Sequence, residues 1–181
     1  MNKKLVIVAL FVVIAVIAAP IAVAQCYTTT TVYFNVGTLI SFTLTLPGQS
    51  PVSCNSTGAA TAAIEFNSTN GTVINVDPSV VGGTAQSNGV PIFVYDNTGT
   101  TNINLSTYLN LGLPACMNLT GATTFAGADN GAVIDNSTNT TVVNSYAPAA
   151  GTQDWYMKVD FNNCTASDTT SRTLTSQAIQ T

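Results

Sequence analysis

The chain has 181 residues, with four basic and eight acidic side chains and no histidine. That balance excludes the Lys/Arg footprint a polyanion binder needs, and the missing imidazole excludes Ser-His-Asp triads and His-ligated metals. Apolar residues make up 46% of the chain and are spread along it, so it does not read as a disordered acidic tail.

Residues 1–24 read as a secretory signal. Lys3 and Lys4 form a positive n-region, and Leu5 to Ile17 is an unbroken apolar run. Pro20 then breaks the helix, and Ala22-Val23-Ala24 supplies the small residues that a signal peptidase requires before Gln25. Cleavage there leaves only Lys158 and Arg172 as basic residues. Two other fates compete. Leu5 to Ala24 is about 20 residues, long enough to span a bilayer uncleaved, and it also suits the retained helix of a type IV pilin. The expected organisation is a signal peptide at 1–24, an N-terminal strand segment at 25–37 and a head domain at 38–181.

The mature chain opens with a Thr-rich segment in which Thr30, Val32, Phe34 and Val36 share one face at period two. Gly37 follows as a hinge. In the stretch from Leu39 to Leu46, the side chains of Ile40, Phe42, Leu44 and Leu46 alternate with Ser41, Thr43 and Thr45, and Pro47-Gly48 ends the strand. Ala60, Ala62, Ile64 and Phe66 repeat the pattern, and residues 67–71 turn into a strand at Thr72 to Val76. Further strands are predicted at Val90 to Tyr95, Thr140 to Tyr146, Asp154 to Asn162 and Arg172 to Ile179. The stretch Asn104 to Leu113 is ambiguous and is read as holding a short helical turn. No mature segment sustains a 3.6-residue apolar period. Eight to ten short strands with regular turn signals predict an all-β fold, an antiparallel immunoglobulin-like or pilin-like β-sandwich.

Four cysteines remain after processing: Cys26, Cys54, Cys116 and Cys164. Their wide spacing is unlike a zinc or redox motif, so two disulfides are expected in an exported chain, with the connectivity open. Acceptors for N-linked glycans, Asn-x-Ser/Thr, occur at Asn55, Asn67, Asn70, Asn104, Asn118, Asn136, Asn139 and Asn163. Several are expected to be occupied.

Candidates for chemistry are few. Glu65, the one glutamate, lies in a predicted strand without a recognisable partner. Asp96-Asn97-Thr98-Gly99 resembles the Asp-Thr-Gly of aspartic proteases only superficially and reads as a turn. Asp129-Asn130-Gly131 with Asp135-Asn136 groups oxygen ligands of the kind Ca²⁺ takes. It lacks the loop spacing and terminal Glu of a regular site, so a solvated turn is expected. Lys158 is the only mature lysine. A buried lysine beside an Asn and an acid can form an isopeptide cross-link in secreted β-sandwiches, but strand alternation puts Lys158 on the polar face with Tyr156 and Asp160, facing solvent. No catalytic residue and no cofactor are expected.

With its apolar leader ending in Ala22-Val23-Ala24, its Thr/Asn-rich body with sequons and its Thr-rich opening strand, the chain resembles the subunits of glycosylated archaeal surface filaments, the threads and bundling pili. That resemblance implies a secreted β-sandwich assembled head to tail by donor-strand complementation, with copies of itself as partners and adhesion or biofilm cohesion as its role. The donor would be the strand carrying Thr30, Val32, Phe34 and Val36, entering a groove of the next subunit; the tail from Thr165 to Thr181 is the alternative donor. A surface glycoprotein domain binding carbohydrate or protein through Trp155, Tyr33, Tyr95 and Tyr156 is the rival reading.

Overall fold

The computed structural model describes residues 40–54, 63–165, 168 and 170–181. Within them run eleven strands: β1 (Thr43–Thr45), β2 (Val52–Ser53), β3 (Ile64–Glu65), β4 (Ser79–Val80), β5 (Phe93–Asp96), β6 (Ile103–Leu109), β7 (Met117–Ala122), β8 (Ala132–Val133), β9 (Thr140–Tyr146), β10 (Gln153–Phe161) and β11 (Leu174–Gln180). A 3-10 helix, Ala126–Asn130, lies between β7 and β8. The strands form a six-stranded sheet in the order β2-β1-β5-β10-β7-β8, a three-stranded sheet β11-β6-β9 and a two-stranded β3-β4 sheet. Every strand pairing is antiparallel. The fold is thus all-β in antiparallel sheets, as the period-two patterning predicts.

The long strands follow from alternation. Along β6, Ile103, Leu105, Thr107 and Leu109 are buried while Asn104 is exposed, because successive side chains of a pleated strand point to opposite faces. Trp155, Met157 and Val159 do the same on β10. One buried cluster joins them: Phe93 and Tyr95 from β5, Leu119 from β7 and the β10 residues pack with Ile103, Leu105 and Leu109 from β6 and with Val142 and Tyr146 from β9. Polar links cross the same core. The Tyr95 hydroxyl is 2.8 Å from Ser176 Oγ on β11, and the Tyr146 hydroxyl donates to the Tyr95 carbonyl at 3.1 Å. Burial pushes the Tyr95 hydroxyl well above the ordinary tyrosine range.

β10 is the best-covered strand. On one edge, residues from Tyr156 to Phe161 pair with β7. On the other, Gln153 to Trp155 pair with β5, which then ends. Gln86 takes over where β5 stops: its Oε1 accepts the Met157 N–H at 2.8 Å, and its Nε2 donates to the Met157 carbonyl at 2.8 Å. Val76 continues the ladder through paired backbone bonds with Val159, at 2.9 and 3.1 Å. A side-chain amide therefore substitutes for one residue of a missing strand, satisfying buried backbone groups that would otherwise be orphaned.

Several expectations are corrected. The stretch Asn104 to Leu113 holds no helical turn; it contains most of β6, the central strand of its sheet. Thr72 to Val76 is not a strand, and only Val76 forms an isolated bridge. The predicted strand at Leu39 to Leu46 shortens to three paired residues, although Phe42 and Leu46 are buried as expected. The tail that was the alternative donor pairs at home, as β11 runs beside β6 from Leu174↔Leu109 to Gln180↔Ile103.

Candidate functional site

Among the described residues, an apolar groove of about 700 Å³ opens between β3, the end of β6, β7, β10 and the start of β11. Ile64, Leu109, Met117, Val159, Phe161 and Leu174 contribute its greasy lining. Its rim is polar. Asn70 Oδ1 accepts both the N–H and the hydroxyl of Thr72, at 3.1 and 2.8 Å, fixing the turn on one side. On the other side Arg172 also lines the groove; it donates from Nε to the Gly112 carbonyl at 2.7 Å and from Nη1 to the Ser171 carbonyl at 2.7 Å. β11 stands at the edge of its sheet order, so one row of its backbone groups faces away from β6. Among the described residues only β6 pairs with β11, and an apolar groove beside such a strand edge is the arrangement that accepts an added strand: backbone hydrogen bonds hold it and alternate side chains fill the groove.

A second arrangement centres on Lys158, which is only 6% exposed. The expectation of a solvent-facing lysine is therefore overturned. Alternation does place Lys158 on the face opposite Trp155 and Met157, but that face is covered. Thr120 Oγ1 on β7 donates to the Ala128 carbonyl at 2.7 Å, seating the 3-10 helix against the sheet. The small residues Ala126, Gly127 and Ala128 permit that approach, and Ala128 is fully buried. Just ahead of the helix, Phe125 meets Tyr156 edge-on at 5.9 Å and lies beneath the Lys158 ammonium, 4.1 Å from Nζ to the ring centroid. Asp129, inside the helix, brings Oδ1 to 2.5 Å from Nζ. Asp77 stands 3.8 Å away and receives the Gln86 amide at 3.0 Å. Asp77 and Phe125 were not legible as partners of Lys158 in the sequence, being far from it along the chain. The signal that was available is a lone lysine in a strand whose alternate residues are aromatic and aliphatic.

The remaining predicted positions are placed as follows. Cys116 and Cys164 form a disulfide with a Cα–Cα distance of 5.3 Å, closing the ends of β7 and β10. Cys54 is exposed, and its Sγ accepts the Phe42 N–H at 3.2 Å; Cys26 lies outside the described residues. Cys116, Cys164 and Asp168 lie close enough to suggest a metal cluster, but both sulfurs are spent on the disulfide. Asn67, Asn70, Asn104, Asn118, Asn136, Asn139 and Asn163 are all exposed, and Asn55 lies outside the described residues, as do Thr30, Val32, Phe34 and Val36. The oxygen ligands grouped for Ca²⁺ do not converge. Asp129 turns to Lys158, whereas Asp135 caps its own turn by accepting the N–H groups of Ser137 and Thr138 at 2.9 and 3.0 Å. These bonds hold the Asp135 carboxyl below its ordinary value of 3.8. The proposed aromatic platform is not exposed either, since Tyr95, Trp155 and Tyr156 are buried, and Tyr33 is outside the described residues.

Comparison with protein-family models, with curated proteins and with solved structures finds no match to this chain.

Proposed function

We propose that the chain is a structural, non-enzymatic subunit of an extracellular glycosylated filament, a β-sandwich head that receives a strand from one neighbour and lends its own to the next. The observation that carries this reading is the apolar groove beside the edge strand β11. Its occupant is segment 27–36 of a second copy. Thr30, Val32, Phe34 and Val36 present one face at the spacing a groove requires, and ten extended residues reach about 30 Å. Because donor and acceptor surfaces differ, the contact is heterologous and propagates as a fibre. Seven exposed sequon asparagines support a glycan coat on a head with few charges of its own. The Cys116–Cys164 bridge suits an exported chain. The groove rather than an aromatic surface supports the filament over the glycan-binding rival, whose described platform residues Tyr95, Trp155 and Tyr156 are buried.

The test compares the secreted chain with a variant lacking residues 27–36, by size-exclusion chromatography and negative-stain electron microscopy. The full chain is expected to form fibres, and the shortened one to stay monomeric and to bind an added synthetic 27–36 peptide. A full-length chain that stays monomeric at every concentration overturns the reading.

A further inference from the structure

We propose that Lys158 and Asp129 condense spontaneously into an isopeptide bond, with Asp77 moving the protons. This modification lies within one subunit and stands independently of the filament reading.

Three observations converge on it. Lys158 is buried on a sheet face roofed by Phe125, so its ammonium sits in a poorly solvated site where an ion pair recovers little of its desolvation cost. Asp129 Oδ1 approaches Nζ to 2.5 Å, inside the roughly 2.7–2.9 Å of an ordinary charge-assisted N–H···O bond. That oxygen is itself buried, and the approach does not have hydrogen-bond geometry. The amine nitrogen is thus held beside the carboxyl group whose carbon it must attack, which is how proximity turns a slow bimolecular condensation into a fast intramolecular one. Third, a second carboxylate is on hand: Asp77 lies 3.8 Å from Nζ, held in place by the Gln86 amide.

The step balances without any oxidant or cofactor. The ammonium passes one proton to the Asp129 carboxylate, and the resulting amine lone pair forms the N–C bond to Cγ. Asp77 takes a second proton from the nitrogen and delivers it to the Asp129 hydroxyl. The C–O bond then breaks and water leaves. One ammonium and one carboxylate become one amide and one water, and Asp77 is regenerated. The product removes two buried charges. It also ties β10 to the segment between β7 and β8, nested inside the loop that the Cys116–Cys164 disulfide closes.

Peptide mapping by mass spectrometry of the folded full chain, after reduction and proteolysis, tests the proposal. The expected result is a branched peptide joining Lys158 to Asp129, one water lighter than its two parts, with fragment ions from both arms. Lys158→Arg and Asp129→Ala are expected to yield only linear peptides. Asp77→Asn, which keeps both reacting groups, is expected to form the branch at least tenfold more slowly, as sampled over time after folding. Recovery of Lys158 and Asp129 from the unmutated chain in separate linear peptides overturns the proposal, whether or not the variants fold. So does a lost water that maps to a succinimide within a linear peptide. Branch formation at an unchanged rate in Asp77→Asn overturns the part assigned to Asp77.

Discussion

Trp155 occupies the space that a side chain on Gly121 would need: a β-carbon at residue 121 would lie 2.5 Å from Trp155 Cζ2 and 2.9 Å from Ile134 Cδ1. Gly121 sits in β7 opposite Met157 of β10, so its missing side chain leaves room for the indole against the neighbouring strand. Gly121→Ala is expected to lower stability by about 1–3 kcal/mol, the usual cost of overpacking a filled core. Gly121→Val is expected to cost more. Urea denaturation monitored by Trp155 fluorescence checks both, and a neutral Gly121→Val would show that the indole has room to move.

Gln86 gives a second expectation. Its amide serves both the N–H and the carbonyl of Met157, and replacing it with Leu leaves two buried backbone groups without their partner. A loss of about 1–3 kcal/mol per orphaned group is expected. Gln86→Glu is expected to cost at least as much as the Leu variant, since it keeps an acceptor for the N–H but sets a buried carboxylate against the Met157 carbonyl and Asp77. Equilibrium unfolding of the three proteins decides this.

What the sequence revealed, and what it hid, follows from how strands signal themselves. Thr140 to Tyr146 is recovered at both ends, and β10 differs from its predicted span by one residue at each end, because Thr140 to Val143 is a β-branched run and Trp155, Met157 and Val159 fall at alternate positions. β6 was hidden by Thr107. This residue is wholly buried, yet a hydroxyl at an inward position blurs the apolar period. Thr72 to Val76 reads as a strand but its backbone meets β10 only at Val73 and Val76. Pattern alone cannot supply a neighbour. Lys158 was misplaced for a related reason: alternation tells which face a side chain takes, not whether that face meets water. The 3-10 helix that covers it reads in the sequence as a Gly/Ala/Asn turn. The groove's lining comes from strands far apart in the chain, so no local pattern reveals it.

A third expectation concerns acid. The N–H groups of Thr138 and Ser137 hold the Asp135 carboxyl below its unfolded value of 3.8. A carboxyl depressed by folding stabilises the native state above the unfolded value, and that contribution is lost as pH falls through the folded one. The thermal midpoint is therefore expected to drop on acidification below about pH 4. Asp135→Ala, with its turn no longer capped by a carboxylate, is expected to show a smaller acid-dependent drop from a lower starting point. Calorimetry across that pH range checks the sign; an identical pH profile in the variant would remove Asp135 from the account.

The central claim, that each head is completed by its neighbour's N-terminal strand, is most directly tested by cryo-electron microscopy of the filaments as the cell makes them. The account predicts density for residues 27–36 of one subunit lying along β11 of the next, with Phe34 seated among Leu109, Met157 and Leu174. Density showing residues 27–36 paired within their own subunit would contradict it.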